Sequence, residues 1–302
     1  MQIAILGFGL IGGSLARALR RQSALNVLGE RPTIVAWSPT GHGPERAVGD
    51  GTVDRAAETI ADGIAGTDLI GLAAPPLACL ALIDELASSN RRARPGSAIV
   101  TDVASTKGRI VAAADARGLR FVGGHPLAGR ESNGYGAATD DLFDDRPWVV
   151  IPGRHAERGD VAVVERVARA AGARTMQLTA AAHDDAVAAI SHLPLVLSAA
   201  LAEAMIEDVE GVVRLDWPTA ASLAATGWQS MTRLARGDVE IGAGIAATNA
   251  VAIAERLRDL GRVLDEWLVA LDSAASDAQA DRLADPFRER LQHAHDRLTE
   301  RP

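Results

Sequence analysis

The first twelve residues constrain the fold of this chain more than any other stretch. Gln2–Leu6 is a short apolar run of strand character, and Gly7-Phe8-Gly9-Leu10-Ile11-Gly12 follows it directly and opens the helix-like stretch Leu10–Arg21. A GxGxxG alone is a weak signal, but between a strand and a helix it has a mechanical meaning. Gly7 permits a tight turn, Gly9 lets the backbone approach a pyrophosphate, and Gly12 lets the helix pack close to the strand. The helix N-terminus then offers free N–H groups and positive dipole to the phosphates. Gly7, Phe8, Gly9, Leu10, Ile11 and Gly12 are therefore the expected cofactor turn.

Further strands are predicted at Thr33–Trp37, Asp68–Leu72, Ser97–Thr101, Arg120–Val122, Trp148–Ile151 and Thr175–Leu178. Helix-like stretches at Leu77–Ser88, Lys107–Arg117 and Glu157–Ala171 alternate with them. Short β-branched runs alternating with helices indicate βαβ units, hence an α/β fold with a doubly wound, mostly parallel sheet. After Leu178 the pattern changes: Ala180–Ile206, Thr219–Arg236, Glu240–Leu271 and Ala278–Leu298 are Ala- and Leu-rich without strand signals. The expected division is residues 1–178, a dinucleotide-binding domain, and 179–302, an all-helical domain. The helical faces are apolar enough that burial against a second copy, a homodimer, is expected.

At 302 residues the chain is long enough for two domains and a substantial core. Its one cysteine, Cys79, excludes a disulfide framework and a multi-cysteine metal site. A formal net charge of −8 argues against a nucleic-acid partner. No apolar run reaches the roughly 18 residues of a membrane span, and the start lacks a basic, cleavable leader pattern. The expectation is a cytoplasmic protein with no membrane and no metal. Of the 31 basic side chains only one is lysine, Lys107. In so arginine-rich a chain, that position invites a reading in which a compact ammonium is needed.

In an open α/β sheet, ligands lie beyond the carboxyl ends of the strands. Four segments reach that edge. Ser38, after the second strand, occupies the slot where an acidic residue would bind the adenosine ribose, so NAD is expected while NADP stays open, with Arg46 nearby in sequence. Ala73-Ala74-Pro75-Pro76 offers small side chains for a wall near a nicotinamide, or a plain strand-to-helix turn. Thr101-Asp102-Val103-Ala104-Ser105-Thr106-Lys107 follows the next strand, and Asp102, Ser105 or Thr106 can serve as the N-cap of the helix beyond. Gly123-Gly124-His125-Pro126-Leu127-Ala128-Gly129 sets a histidine on a constrained turn, where an imidazole can act on a ligand. In the helical half, His183-Asp184 and Ser191-His192-Leu193-Pro194 stand nine residues apart, about two and a half helical turns, so they need not share a face. His42, His155, His293 and His295 read as surface residues.

These pieces, in this order, resemble the prephenate dehydrogenases of the TyrA type, a family that includes arogenate dehydrogenases. The resemblance rests on Gly7–Gly12 with Gly13-Ser14, Thr101–Lys107, Gly123–Gly129 with Glu131, His183-Asp184 leading to Ser191–Pro194, and Thr232-Arg233. It implies a Rossmann-like domain followed by a helical dimerisation domain, and oxidative decarboxylation of prephenate to 4-hydroxyphenylpyruvate with hydride transfer to a nicotinamide cofactor. It further implies that His125 accepts the ring-hydroxyl proton and that Ser105 hydrogen-bonds the same hydroxyl. His192 would orient substrate or nicotinamide, Arg233 would clamp a substrate carboxylate, and Glu131 would gate access or stand as a solvated loop acid. Ser38, Ala74 and Pro75 join the glycine turn as expected cofactor contacts, and Lys107 adds positive potential or anchors a helix start. Rival readings are arogenate as substrate, a β-hydroxyacid dehydrogenase, or a non-catalytic nucleotide-binding regulator. The second is opposed by the absence of any lysine after residue 107, where that class keeps a catalytic lysine in its helical domain.

Overall fold

The computed structural model describes residues 1–90, 98–130, 132–206, 216–276 and 284–300. Eight strands form one sheet: β1 Gln2–Leu6, β2 Thr33–Trp37, β3 Arg55–Ala56, β4 Leu69–Leu72, β5 Ile99–Asp102, β6 Phe121–Pro126, β7 Pro147–Pro152 and β8 Arg174–Gln177. Their spatial order is β3-β2-β1-β4-β5-β6-β7-β8. All neighbours pair in parallel except β6 and β7, which run antiparallel with His125 opposite Val149. The sheet is thus doubly wound and mostly parallel, with the chain reversing its direction of winding between β1 and β4.

Helices cover both faces because the strands are apolar on both. Successive side chains along a strand point to opposite faces. On one face Ile3, Ile5, Trp148 and Val150 join Leu15, Leu19, Phe143 and Val167. On the other, Ala4, Leu6, Val149 and Ile151 join Leu72, Ile83, Leu86, Val100 and Phe121. Strands buried on both sides read as nearly continuous apolar runs, which is why the sequence exposed them.

Three departures from the sequence expectations have physical causes. β3 is two residues long, too short to leave a periodic signal. β6 runs on through Gly123, Gly124 and His125, which read as a turn because glycine and proline ordinarily punctuate strands. Here the glycines admit close neighbours: a Cβ on Gly124 would lie 2.5 Å from the Asp102 carbonyl oxygen and 2.9 Å from Trp148 Nε1. The stretch Glu240–Leu271 is two helices, Val239–Thr248 and Ala250–Ser276, and Thr219–Arg236 contains Trp217–Ser222 and Thr226–Met231 with a short 3₁₀ turn, Leu234–Arg236. Ser97 and residues 278–283, which those expectations included, lie outside the described residues.

The change to all-helical structure after Leu178 is not where compactness breaks. The chain divides into a unit Met1–Ile253 and a unit Ala254–Pro302. The first contains the sheet and the helices up to the start of Ala250–Ser276. The second contains the rest of that helix and Asp285–Thr299, where Trp267 stacks on Phe287 at 6.0 Å and Arg290 pairs with Glu266 at 2.8 Å. One helical stretch among the described residues, Ala180–Ile206, is long and apolar enough to cross a membrane by length and composition. That corrects the expectation that no apolar stretch reaches such a length, which counted only uninterrupted apolar residues. The same helical stretch carries His183 and Asp184, both buried against the sheet-bearing part of the first unit.

The glycine turn sits at the winding reversal. Gly7 adopts φ +90°, and a Cβ there would lie 2.4 Å from the Ala73 carbonyl oxygen. At Gly12, inside the helix Leu10–Ala18, a Cβ would lie 2.5 Å from the Gly7 carbonyl oxygen and 3.0 Å from Ala73 Cβ. Alanine in place of a mid-helix glycine ordinarily stabilises by about 0.5–1 kcal/mol. At Gly12 the clash should outweigh that gain, so Gly12→Ala is expected to destabilise the protein by about 1–3 kcal/mol. Urea unfolding reads the sign directly: a raised midpoint would show that the turn has room.

Candidate active site

A cleft of about 1330 Å³ opens at the reversal point, beyond the ends of β1 and β4. Gly7, Phe8, Gly9, Leu10 and Ile11 line one side, with Ser38, Ala74 and Pro75. Gly12 lies behind them as a packing residue rather than a lining one. A Cβ on Gly9 would meet nothing within 4 Å, so the backbone there is bare toward the cleft. This is a cradle for a pyrophosphate at a helix N-terminus, and the residues present fit a dinucleotide. Tyr135, the chain's single tyrosine, buttresses the turn from outside: it packs on Phe8 at 5.3 Å, and its hydroxyl donates to Asp50 at 2.7 Å.

Ser105, His125 and Arg233 line the same cleft. Among its described lining residues the charged ones are Arg46, Arg130 and Arg233 against Glu85 and Asp238, an excess of cations inside an acidic protein. His42, read from sequence as a surface residue, also lines it. Glu131 lies outside the described residues. No three His, Cys, Asp or Glu side chains converge as a metal-ligand set among the described residues.

His125 is not on an exposed turn. It stands in β6 at 9% exposure, and its Nδ1 lies 2.8 Å from His183 Nε2. His183 Nδ1 lies 2.8 Å from Asp184 Oδ1. The carboxylate can only accept, so His183 donates from Nδ1. Its Nε2 then accepts from His125 Nδ1–H, and His125 Nε2 is left to the cleft as a lone pair. Burial, then the neighbouring Lys107, then His183 and His192, hold the His125 pKa well below the ordinary imidazole value. The neutral base is its resting form.

Asp184 does more than face His183. Its carboxylate accepts the backbone N–H groups of Lys107 at 2.8 Å and Gly108 at 2.7 Å, the start of the helix Gly108–Ala116. The sequence expectation of a local N-cap from Asp102, Ser105 or Thr106 therefore gives way to a cap supplied from 76 residues away. Although burial opposes it, the hydrogen bonds from His183, Gly108 and Lys107 hold the Asp184 carboxyl below its usual range. Thr106 donates instead to Thr248 at 2.7 Å, and Thr248 donates onward to the Gly244 carbonyl.

His192 was expected to reach substrate or nicotinamide, but it is fully buried and does not line the cleft. Asn249 Nδ2 donates to its Nδ1 at 3.1 Å and to the Asp184 carbonyl oxygen at 2.8 Å. His192 Nε2, without a well-aligned partner among the described residues, faces the Ser105 backbone. Burial lowers its pKa to about 4. It sits behind Ser105, which lines the cleft.

Lys107 is fully buried and paired with Asp102. Asp102 also accepts the N–H groups of Ala104 at 3.0 Å and Gly124 at 3.1 Å, tying the β5 loop to β6 beside His125. Burial pushes the Asp102 carboxyl up, against the pull of Lys107 and the two amides. Lys107 lies outside the cleft lining and is paired with Asp102, so its positive charge reaches the site only indirectly, through the neighbouring His125 imidazole that it helps keep neutral. Cys79 is equally inert, its thiol buried and pushed up to about 12.

A doubly wound sheet with a glycine-turn cleft and a buried histidine facing it defines a nucleotide-dependent dehydrogenase of two-part build. Residues 15–177 match the family model "Prephenate dehydrogenase, nucleotide-binding domain" and residues 179–289 match "Prephenate dehydrogenase, dimerization domain". The chain belongs to the prephenate dehydrogenase family. It is 31% identical to the probable prephenate dehydrogenase NovF of Streptomyces niveus, over 90% of this chain and 69% of that protein. It is 27% identical to the prephenate dehydrogenase of Bacillus subtilis, over 95% of this chain and 72% of that one. The crystal structure of Synechocystis arogenate dehydrogenase superposes with a TM-score of 0.75 at 31% identity, covering 99% of each chain.

Sequence reasoning singled out His183-Asp184 and Lys107 without their bonds to His125, Gly108 and Asp102, and it missed Asn249. The adjacency of His183 and Asp184 and the single lysine were the available signals. Removing Lys107 leaves a buried carboxylate that must stay charged alone or take up a proton. Lys107→Met is expected to lower stability by about 3–5 kcal/mol, and Lys107→Met with Asp102→Asn, which removes the stranded charge but keeps a carbonyl oxygen for the backbone amides, to recover part of it. Chemical denaturation of the three proteins checks this, and equal midpoints for wild type and Lys107→Met would refute it.

Proposed function

We propose that this protein is a prephenate dehydrogenase that takes NAD as its cofactor. The observation that carries the reading is His125: a neutral imidazole whose free nitrogen faces the cleft that the glycine turn lines. Ser38, which follows β2, puts no carboxylate against a 2′-phosphate, so NADP is the alternative cofactor. Residues 1–178 bind the dinucleotide in this reading. Residues 179–302 complete the substrate side and pair with a second copy to form a homodimer, which would cover exposed apolar side chains such as Leu264, Leu268 and Val269. The acidic net charge speaks against nucleic acid as a partner, and the cytoplasm suits a biosynthetic enzyme of this kind.

The substrate's ring carries a hydroxyl at C4 and a carboxylate at C1. When bound, the nicotinamide supplies the hydride acceptor. His125 Nε2 accepts the hydroxyl proton, and loss of carbon dioxide makes the ring aromatic, a strong thermodynamic pull. Ser105 orients the hydroxyl by a second hydrogen bond. His192 sets the Ser105 loop from behind. Arg233 grips a substrate carboxylate through paired N–H donors, and the other arginines of the cleft favour a dianion. Glu131 gates access in this reading.

A second reading, arogenate as substrate, is supported by the 31% identity to the Synechocystis arogenate dehydrogenase over nearly the whole chain. The two substrates differ only in a side-chain keto or amino group. Mixing the protein with prephenate or arogenate and NAD or NADP, while following reduced-cofactor absorbance, separates the four combinations. Silence in all four would end the functional proposal.

His125→Asn is expected to lower kcat roughly 10²–10⁴-fold with cofactor affinity little changed. Arg233→Ala is expected to raise KM for substrate far more than for cofactor, and equal rises would assign it a structural role instead. Because the base is useful only when unprotonated and its pKa is held down, kcat/KM should stay level from neutral pH to below the ordinary imidazole value of about 6.5 before it falls. An acid limb at or above that value would contradict the buried environment described for His125.

A further inference from the structure

We propose that His183 and Asp184 form a positioning relay that locks His125 in the tautomer a base needs and receives its second proton during turnover. The inference rests on the functional reading above and extends it to two residues outside the cleft. Four atoms in line carry it: Asp184 Oδ1, His183 Nδ1 and Nε2, and His125 Nδ1, each of the two steps 2.8 Å. His183 is 1% exposed, so water does not compete for either of its bonds. The His125 and His183 rings meet nearly edge-on at 78°, with centroids 5.0 Å apart.

The donor–acceptor count admits one order of protons at rest. Asp184, an acceptor, fixes the His183 proton on Nδ1, and this leaves Nε2 to accept from His125 Nδ1–H. Were His183 absent, burial alone would not choose between the two His125 tautomers, and the one with its proton on Nε2 cannot accept from a substrate hydroxyl.

The proton balance closes within the chain. The O–H bond of the substrate breaks as an N–H bond forms at His125 Nε2, while the hydride leaves for the cofactor. The Nδ1–H of His125 passes to His183 Nε2, making His183 the cation, while the proton on His183 Nδ1 stays there and remains donated to the Asp184 carboxylate. The positive charge thus moves one ring away from His125, beside a carboxylate already ionised by the Lys107 and Gly108 amides. This answers a difficulty in the site. The groups that face His125 are Lys107 from the β5 loop, His183 from the helix Ala180–Val187 and His192 from the turn beyond, and all three disfavour a positive charge on it. Asp102 is occupied with Lys107. Asp184, reached through His183, is the carboxylate that makes proton acceptance affordable.

The test needs no turnover in its first arm. Nitrogen-15 NMR of the histidine rings, with His125 assigned by its loss in His125→Asn, is expected to show the Nδ1–H tautomer at neutral pH in the wild-type protein. His183→Ala should mix the tautomers and lower kcat roughly 10²–10⁴-fold while KM for substrate and cofactor moves little. His183→Gln, whose side-chain oxygen can accept from Nδ1–H but cannot carry a proton onward, should restore the tautomer and only part of the rate. A wild-type His125 protonated on Nε2, or a His183→Ala protein with unchanged ring signals and turnover, overturns the relay. If the wild-type protein oxidises neither prephenate nor arogenate, the functional reading falls, and the ring signals still decide the tautomer lock.

Discussion

One carboxylate organises the reacting end of this molecule. Asp184 receives two backbone amides from the start of the helix Gly108–Ala116 and one ring N–H from His183. Capping a helix with a remote carboxylate uses the unpaired N–H groups that every helix start leaves exposed. Here that ordinary need joins a helix of the C-terminal half to the β5–β6 edge of the sheet. The amides keep Asp184 charged, and the charge orders the imidazoles. Geometry and protonation therefore come from the same contact.

The cleft depends on a second constraint, the reversal of winding between β1 and β4. Helices leave the sheet in opposite directions there, so the strand ends stay uncovered and a crevice must exist. The glycine turn fills the crevice floor with backbone rather than side chains. On the far side, the 3₁₀ turn and the helix Val239–Thr248 contribute Arg233, Leu234, Asp238, Ile241 and Ile245 to the same lining. The two sides of the cleft are thus formed by different classes of structure, the sheet edge with its glycine turn on one and helical segments on the other.

How far the sequence disclosed this follows from the range of the interactions involved. Strands buried on both faces advertise themselves as apolar runs; seven of the eight were placed, the largely exposed β8 among them, and the two-residue β3 was too short to see. The glycine turn was legible because its mechanism is local. The His183–Asp184–Lys107 network was not, since its partners are 77 residues apart in the chain and no local pattern encodes a remote cap. His125 was found but given the wrong setting, because Gly-Gly-His-Pro has turn composition. Only the pairing with β7, and the crowding of Gly124 against Asp102 and Trp148, make it a strand. His192 was assigned to the substrate because its motif was recognised, whereas its role is set by Asn249 and by the Ser105 backbone, neither of which the motif names.

The lone lysine illustrates how composition and burial combine. A chain that uses arginine at every other basic position keeps an ammonium at 107, where the side chain is fully enclosed. A guanidinium carries five donors in a rigid plane, and each one left unpaired in such a site would cost about as much as a lost hydrogen bond. An ammonium is compact and reaches Asp102 at the end of a flexible stem. A Cβ added at Gly123 would already lie 3.3 Å from the Lys107 Cδ, so glycine there leaves the stem its passage to Asp102. The pair then does two things at once. It ties the β5 loop to β6, and it sets a positive charge near His125 that adds to burial in holding the imidazole neutral.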